Sequence, residues 1–182
     1  MRRNIIDYFS LAVFAGLIIT ADQVTKALVR TRLPVEGFWS PWPWLTPYAR
    51  IVHWYNTGVA FGMFQGMNGV FIVLAILVSL AILYYFPRVP RQDWALRLAL
   101  GMQLAGAVGN LIDRVQFGHV TDFISIGNFA VFNIADASIS VGVAILILAV
   151  WIQDMKKKKG VSPVAPPLIP AEKTSPGEDE TE

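Results

Sequence analysis

The stretch VFIVLAILVSLAILYYF (residues 70–86) contains no charged side chain over seventeen consecutive positions. A helix that crosses a hydrocarbon core of about 30 Å needs about 20 mainly apolar residues, so this stretch has the composition of a membrane span. Three further stretches have a comparable length and an apolar character, at roughly 5–28, 94–112 and 134–152. The sequence therefore predicts four transmembrane helices.

The composition of the whole chain excludes several classes of protein. Of its 182 residues 54% are hydrophobic and 15% charged, whereas soluble domains have about 45–50% and about 25%. A net charge of +2 gives no broad basic surface, so we expect no nucleic-acid partner. The chain has no cysteine and two histidines, which rules out disulfides and thiolate sites. We expect no metal and no cofactor.

Basic residues predict the orientation, because they concentrate in cytoplasmic segments. Most of them lie before the first span, between the second and third, and after the fourth: Arg2, Arg3, Arg88, Arg91, Arg97 and Lys156–Lys159. The outer loops hold fewer: Arg30, Arg32, Arg50 and Arg114. Both termini are therefore predicted to be cytoplasmic, and loops 30–67 and 114–132 to face outward. Residues 1–155 form the predicted four-span domain. Residues 156–182, first basic and then rich in proline and acidic residues, form a predicted disordered cytoplasmic tail.

The long outer loop is rich in aromatic residues, which leaves two interpretations open. Tryptophan and tyrosine commonly form a belt at headgroup level. The alternative is a small extracytoplasmic platform that grips a substrate, and the β character of Ile51–Tyr55 favours a short sheet there. The predicted fold class is accordingly an all-α membrane protein with four transmembrane helices and a small extracytoplasmic β-rich platform.

Polar residues in or beside the spans are the candidates for function, since ionisable groups are costly in a membrane. Six such residues fall on the predicted outer side at similar depth: Asp22, Asn56, Asn110, Asp113, Asp122 and Asp136. Asp7 and Asp154, at the inner ends, are interpreted as ordinary flanking charges.

Local sequence signals bring two of the aspartates together. Two β-prone runs, 123–126 and 129–132, flank Gly127-Asn128, which predicts a hairpin with Asp122 opposite Asn133. Asn133 is a good N-cap for the fourth helix, and Asp136 falls three residues later, as in a capping box. The carboxylates of Asp122 and Asp136 should then lie within about 10 Å of each other.

Each polar residue also has a purely structural interpretation. The role of Asp136 could be limited to capping its helix. The role of Asp22 could be limited to an ion pair with Lys26 one turn later. Asp113 could pair with Arg114 or bond Asn110. Asp122 has the weakest structural explanation, because no basic residue lies near it in the sequence.

Two aspartates that lie close together in space indicate acid–base catalysis by a pair of carboxyl groups. Two carboxyls held together cannot both ionise easily, so one keeps its proton. The ionised partner can then activate water, while the protonated partner polarises a carbonyl. This is hydrolysis of a peptide bond without a covalent intermediate.

At these residues the chain resembles the signal peptidase II family, the lipoprotein signal peptidases, which are bacterial intramembrane aspartic proteases. Five motifs carry the resemblance, in the expected order: Asp22-Gln23-Val24-Thr25-Lys26, Asn56-Thr57-Gly58-Val59-Ala60-Phe61-Gly62, Gly109-Asn110-Leu111-Ile112-Asp113-Arg114, Val120-Thr121-Asp122-Phe123 and Phe132-Asn133-Ile134-Ala135-Asp136. The four-span topology is similar as well, and the resemblance covers roughly residues 5–153.

The resemblance implies that Asp122 and Asp136 are the catalytic pair. Residues matching supporting or substrate-binding positions are Asp22, Lys26, Asn56, Gly58, Asn110, Asp113, Arg114 and Asn133. It further implies a diacylglyceryl-prolipoprotein substrate, cut just before the lipidated cysteine. The protein would be a multi-pass enzyme of the bacterial cytoplasmic membrane, in contact with membrane lipid, with its active site toward the outer face. We expect a monomer.

Two other functions remain open from the residues. A small proton-coupled transporter could use Asp22, Asp113 and Asp136 as a relay, but it should carry carboxylates at mid-membrane and on both sides. A non-catalytic assembly protein would use the same polar groups only to bind neighbouring helices.

Overall fold

The computed structural model describes residues 2–58 and 63–160, with side chains described at 4–58 and 63–155. The chain forms four long helices, α1 (Arg2–Arg32), α2 (Asn68–Tyr85), α3 (Trp94–Phe117) and α4 (Ile134–Gly160). A 3-10 turn (Phe86–Arg88) follows α2 directly. Three strands, β1 (Phe38–Trp39), β2 (Ala49–Asn56) and β3 (Val120–Ile126), form one antiparallel sheet in the order β1-β2-β3.

Each helix is long and apolar enough to cross a membrane, over Asn4–Arg32, Asn68–Arg88, Trp94–Phe117 and Ile134–Met155. The predicted fold class, four membrane helices with a small β platform, is confirmed. The most apolar part of α3 is 44% buried, against 17% in each of the other helices, and has the lowest mean hydropathy, 1.3. Because α3 contacts α1, α2 and α4, it is the central helix of the bundle.

Small residues of α3 let its neighbours approach closely. A Cβ at Gly106 would lie 2.7 Å from Ser138 Oγ of α4, and a Cβ at Gly109 would lie 2.8 Å from Asp22 Oδ2 of α1. Neither position has room for a side chain. The backbone of α3 therefore comes close enough to α1 and α4 for their polar groups to meet.

The sheet lies at the end of the bundle where α1 and α3 finish and α2 and α4 begin; we call the sheet the platform and this end the platform side. Trp54 of β2 is the cross-strand partner of Asp122 in β3, with a register irregularity between Ile51 and Trp54. The edge strand β3 is almost completely buried. Its position fixes Asp122 at the junction between platform and helices.

The predicted hairpin after Asp122 is only partly present. Gly127 turns the chain with φ +50°, but no second strand forms over 129–132. A single bridge joins Ile124 to Phe132, with Ile124 N donating to Phe132 O at 2.8 Å. The prediction of a second strand was wrong, because only Phe132 pairs with the outer edge of β3 before the chain enters α4 at Ile134.

Several predicted boundaries shift by a few residues. The helix α3 continues to Phe117 and ends at Gly118, a left-handed cap with φ +76°, so Arg114 lies in its last turn and not in a loop. The long loop begins after Arg32. Helix α4 continues through 156–159 to Gly160. The remainder of the predicted disordered tail, 161–182, lies outside the described residues.

The interpretation of Asp7 as an ordinary flanking charge was wrong. Its side chain is buried and pairs with two arginines from the connection between α2 and α3, Arg91 at 2.9 Å and Arg97 at 2.8 Å. The connection packs under the start of α1, which removes Asp7 from solvent. The sequence could not show this, because the partners lie more than eighty residues away.

Candidate active site

Asp122 sits in the middle of β3 with 1% of its surface exposed. Both of its oxygens accept hydrogen bonds from side-chain amides, Oδ2 from Asn56 at 2.8 Å and Oδ1 from Asn133 at 2.7 Å. Asn56 is itself oriented, because its Oδ1 accepts the backbone N–H of Gly58 at 2.9 Å. In the described part of the chain, no basic side chain forms an ion pair with Asp122.

Burial raises the pKa of Asp122 from the ordinary aspartate value of 3.8 to about 7, and the negative charge of Asp136 adds to the rise. The amides of Asn56 and Asn133 and the charge of Lys26 oppose it. Loss of hydration disfavours the charged carboxylate, and this effect exceeds the effect of the donors. Asp122 is therefore a carboxyl that can hold a proton near neutral pH.

Asp136 lies in the first turn of α4. Its Oδ1 accepts from Asn110 Nδ2 of α3 at 2.7 Å, and its Oδ2 accepts the backbone N–H of Asn133 at 3.3 Å. In return the Asp136 backbone N–H donates to Asn133 Oδ1 at 2.9 Å. This is the predicted capping box, and it is confirmed.

Two asparagines join the aspartates into one network. Asn133 Nδ2 donates to Asp122 at 2.7 Å and also to Asn110 Oδ1 at 3.2 Å. Asn110 Nδ2 donates to Asp136. A primary amide has two N–H donors, so Asn133 uses both of them between Asp122 and Asn110. The side chains of Asp122 and Asp136 are thus held by a shared set of directional bonds.

A layer of buried charges lies behind this network. Lys26 Nζ contacts Asp22 at 2.8 Å, Asp113 at 3.3 Å and Asn110 at 3.0 Å. Lys26, Asp22 and Asp113 are completely buried. Arg30, one turn after Lys26, approaches Asp113 at 3.5 Å. The two carboxylates and two cations balance, as buried charges require.

Asp22 and Asp113 also accept hydrogen bonds from the backbone beside the two candidate catalytic residues, Asp136 and Asp122. Asp22 accepts the backbone N–H of Ala135 at 3.0 Å, in the first turn of α4. Asp113 accepts the backbone N–H of Thr121 at 2.9 Å, next to Asp122 in β3. The predicted Asp22–Lys26 pair is therefore present but has this further contact. The predicted pairing of Asp113 with Arg114 or Asn110 was wrong, because Asp113 faces α1 and β3.

Arg114 points in a different direction from Asp113. Its Nη2 donates to the carbonyl oxygen of Gly58 at 3.2 Å, and its guanidinium lies 5.2 Å from the centre of the Phe71 ring. Its Nε is buried without a partner. Gly58 has no room for a side chain, because a Cβ there would lie against the backbone of 63–65.

A cavity of about 420 Å³ opens beside Asp136. Asn56, Gly58 and Arg114 line it on the platform side, and Asp136 lines it at the start of α4. The segment 129–132 and one face of α4 supply mainly apolar walls. Asp122 is not one of the lining residues, but its hydrogen-bond partner Asn56 is. Sites for organic ligands commonly combine apolar walls with a few convergent polar groups, as this cavity does.

All ten site residues predicted from the sequence lie in this region, but two contributors, Gln23 and Arg30, were missed. Gln23 donates to Asp22 and Asp113 and to the carbonyl oxygen of Gly109. Arg30 donates to Thr121 Oγ1 at 3.0 Å. The spacing of Asp22, Lys26 and Arg30 by four residues was the available signal for Arg30. In residues 2–58 and 63–160, no group of three or more His, Asp or Glu side chains could hold a metal ion.

The geometry defines a four-span membrane protein with a hydrogen-bonded pair of carboxyl side chains, Asp122 and Asp136, at the junction of helices and sheet. Comparison with known proteins identifies its family. The family model described as signal peptidase (SPase) II matches residues 14–152. The lipoprotein signal peptidase of Desulfitobacterium hafniense (strain DSM 10664 / DCB-2) is 35% identical over 145 residues, which are 79% of this chain and 94% of that protein.

Further relatives agree. The lipoprotein signal peptidase of Dehalococcoides mccartyi (strain ATCC BAA-2100 / JCM 16839 / KCTC 5957 / BAV1) is 39% identical over 158 residues, covering 81% of this chain and 90% of the relative. A bacterial membrane enzyme solved by the in meso method at 2.3 Å resolution is 30% identical, with a TM-score of 0.76, over 84% of this chain and 93% of that one. The protein is thus a multi-pass membrane peptidase. It belongs to the signal peptidase II family.

Proposed function

We propose that this protein is an aspartic endopeptidase that removes the signal peptide from diacylglyceryl-modified prolipoproteins and cleaves just before the lipidated cysteine. The observation that carries the proposal is the hydrogen-bond network through Asn133 and Asn110 that joins Asp122 to Asp136. The similarity to proteins named lipoprotein signal peptidase supports the substrate class.

The environments of the two carboxyls support different roles. Asp122 is buried, and its raised pKa of about 7 makes it the partner that carries the proton. Asp136 lines the cavity and stands at the N-terminus of α4, where the helix dipole favours a negative charge. In this assignment Asp136 is the ionised base and Asp122 the acid.

The proposed reaction needs no further reactant than water. Asp136 accepts a proton from a water molecule whose oxygen bonds to the peptide carbonyl carbon, while Asp122 donates its proton to the carbonyl oxygen. The tetrahedral intermediate then collapses. Asp136 passes its proton to the leaving nitrogen, the C–N bond breaks, and Asp122 recovers a proton from the hydroxyl group. Both carboxyls return to their starting states.

Arg114 supports substrate positioning. It lines the cavity beside Asp136, and a guanidinium has five N–H donors. Its bond to the Gly58 carbonyl uses one of them. Further donors are available to a peptide carbonyl in the cavity. The acyl chains and the apolar part of the signal peptide would lie along the lipid-facing helices, and their binding positions the scissile bond.

The distribution of basic residues supports an orientation with both termini in the cytoplasm and the site toward the outer face. Nine basic residues, at 2, 3, 88, 91, 97 and 156–159, belong to the end opposite the platform. On the platform side, Arg30 forms an ion pair with Asp113 and donates a hydrogen bond to Thr121. An excess of arginine and lysine marks the cytoplasmic side.

We do not propose the transporter, because the charges do not form a path. Asp22 and Asp113 are neutralised by Lys26 and Arg30. The next buried carboxylate described along α1, Asp7, is about 22 Å away at 1.5 Å per residue. The apolar side chains of Leu11 and Ala15 lie between them.

The test is cleavage of a synthetic prolipoprotein peptide that carries diacylglyceryl-cysteine, with the product masses locating the broken bond. Asp122→Asn and Asp136→Asn should each lower the rate by at least about hundredfold, while both variants remain folded and inserted. Asp154→Asn, which removes an exposed carboxyl at the other end of α4, is the matched control. Retained cleavage in both active-site variants would overturn the proposal.

A further inference from the structure

A second cavity, of about 340 Å³, lies at the end of the bundle opposite the platform. It opens between the start of α1, the 3-10 turn and the start of α3, and we call it the basal groove. Its apolar wall includes Leu11, Phe14, Trp94 and Leu98, and its charged wall consists of Arg91 and Arg97. It shares no residue with the cavity beside Asp136.

The two arginines of the basal groove are held in place. Arg91 Nε and Arg97 Nη2 contact the same oxygen, Asp7 Oδ1, at 2.9 and 2.8 Å. Arg97 also donates to the carbonyl oxygen of Val89 at 3.0 Å, and its guanidinium stacks 4.2 Å from the centre of the Phe86 ring. The cations are thus fixed before any ligand arrives, which lowers the entropic cost of binding.

The groove has more positive than negative charge. Asp7 supplies one carboxylate for two guanidinium groups, and the Arg91 side chain is half exposed. Asp93 is the only other acidic residue of the connection, which also contains Arg88. Across this end of the bundle the sequence has nine basic residues against three acidic ones, at 7, 93 and 154. An anion is the complementary ligand.

The groove continues from these charges into the apolar part of the bundle. Phe14 lies seven residues after Asp7 on α1, which is about 10 Å deeper at 1.5 Å per residue. Leu11 and Leu98 line the intervening depth. Trp94 is exposed at the mouth, where tryptophan commonly marks the membrane interface. A ligand that fills the groove therefore has an anionic head and an apolar chain.

We infer that the basal groove binds an anionic phospholipid, with the phosphodiester on Arg91 and Arg97 and the start of an acyl chain along Leu11, Phe14 and Leu98. Basic pockets between transmembrane helices are suited to such headgroups. Free phosphate would use only the arginines and leave the apolar wall empty. A zwitterionic lipid would bring its own cation to the positive groove. The site is independent of the peptidase activity proposed above.

The test is a titration of the full-length chain in a neutral detergent, with the thermal midpoint as the readout, because a ligand that binds the folded state raises it. The probes are short-chain phosphatidylglycerol, the matching phosphatidylcholine, and inorganic phosphate. We expect phosphatidylglycerol to raise the midpoint at concentrations at least about tenfold lower than phosphatidylcholine, as two nearby arginines imply. Inorganic phosphate should have little effect.

Three variants decide where the lipid binds. Arg91→Gln with Arg97→Gln should abolish the preference for phosphatidylglycerol. Because this change leaves Asp7 buried without partners, Ser10→Phe is the second variant. It fills the groove from its rim and leaves the ion pairs intact, and it should weaken the lipid effect in the same way. Arg50→Gln, an exposed arginine on the platform, is the control.

Three results would overturn the inference. The first is equal response to the two lipids in the unaltered protein. The second is a preference that survives in both groove variants, since the lipid then binds elsewhere. The third is an equal response to inorganic phosphate, because the groove is then a site for a free anion.

Discussion

Asn133 and Asp136 exchange hydrogen bonds in both directions. The Asp136 backbone N–H donates to Asn133 Oδ1 at 2.9 Å, and the Asn133 backbone N–H donates to Asp136 Oδ2 at 3.3 Å. The side-chain amide of the same asparagine donates to Asp122 Oδ1 at 2.7 Å. One residue therefore starts α4, orients Asp136 and holds Asp122.

The first prediction concerns this residue. Asn133→Ala removes an N-cap, which costs about 1 kcal/mol of stability. It also frees both carboxyls to move, and misplacement of reacting groups by about 1 Å can cost about hundredfold in rate. We therefore expect a small fall in the thermal midpoint and a large fall in kcat for a lipopeptide substrate.

Asn128→Ala is the control for this change, because Asn128 is exposed in the turn after β3. It should alter neither quantity. A variant at Asn133 that cleaves at the normal rate would show that the network does not position the pair.

The second prediction is the pH dependence of the reaction. The pKa of Asp122 is raised to about 7, and the proposed acid must be protonated. The value of kcat/KM should therefore fall as the pH rises through about 7, since kcat/KM reports the groups of the free enzyme. Rate measurements across this range check it, with substrate binding followed separately. A rate that is constant to pH 9 would contradict the role of Asp122 as acid.

The third prediction is the effect of the same group on stability. The pKa of Asp122 lies at about 7 in the folded protein and at 3.8 when unperturbed, so between these values the folded state binds more protons than the unfolded state. The contribution of Asp122 to stability is then present below 3.8 and is lost as the pH rises toward 7. Asp122→Asn lacks this loss, so its thermal midpoint should rise relative to the unaltered protein over that interval.

Asp136→Asn gives an independent check on the stability effect. It removes a negative charge that contributes to the raised pKa of Asp122, so the pH interval of the stability loss should move to lower pH. Asp154→Asn should follow the unaltered protein throughout. An unchanged interval in Asp136→Asn would show that the two carboxyls do not interact.

Local sequence patterns predicted the spans and the helix cap of this site, but they did not predict its long-range contacts. The four spans follow from apolar length, and the Asn133–Asp136 capping box from a three-residue spacing. The contacts of Asp113 with Lys26 and Thr121 depend on how α1, α3 and β3 pack. A helix ion pair at i, i+4 explained Asp22 in sequence, yet its bond to Ala135 spans 113 residues. No local pattern contains that information.

The same limit explains two further errors. The apolar run 129–132 has the composition of a strand, but only Phe132 pairs with the outer edge of β3 before the chain enters α4. Asp7 has the position of a flanking charge, but the connection between α2 and α3 covers it. Both outcomes are set by tertiary packing, which overrides local propensity.

The fourth prediction tests the close approach at Gly58. A Cβ there would collide with the carbonyl oxygen of Met63, and the backbone must shift to admit it. The shift displaces the Gly58 carbonyl from Arg114 and its N–H from Asn56. We expect Gly58→Ala to raise KM and lower kcat of lipopeptide cleavage. Gly69→Ala is the control, because a Cβ there meets no atom within 4 Å, and wild-type kinetics in both variants would contradict the role given to Gly58.

The fifth prediction concerns the buried cation. Lys26→Met leaves Asp22 and Asp113 buried without their nearest positive charge, and breaking a buried pair in this way costs about 3–5 kcal/mol. The free energy of unfolding in detergent should fall by that amount, whereas Arg32→Met, at an exposed position of α1, should change it little. The second substitution Asp22→Asn should recover part of the loss, because it removes the carboxylate that is left without a cation, whereas Asp113 keeps Arg30. If the double variant is no more stable than Lys26→Met alone, the lysine stabilises the bundle through packing and not through its charge.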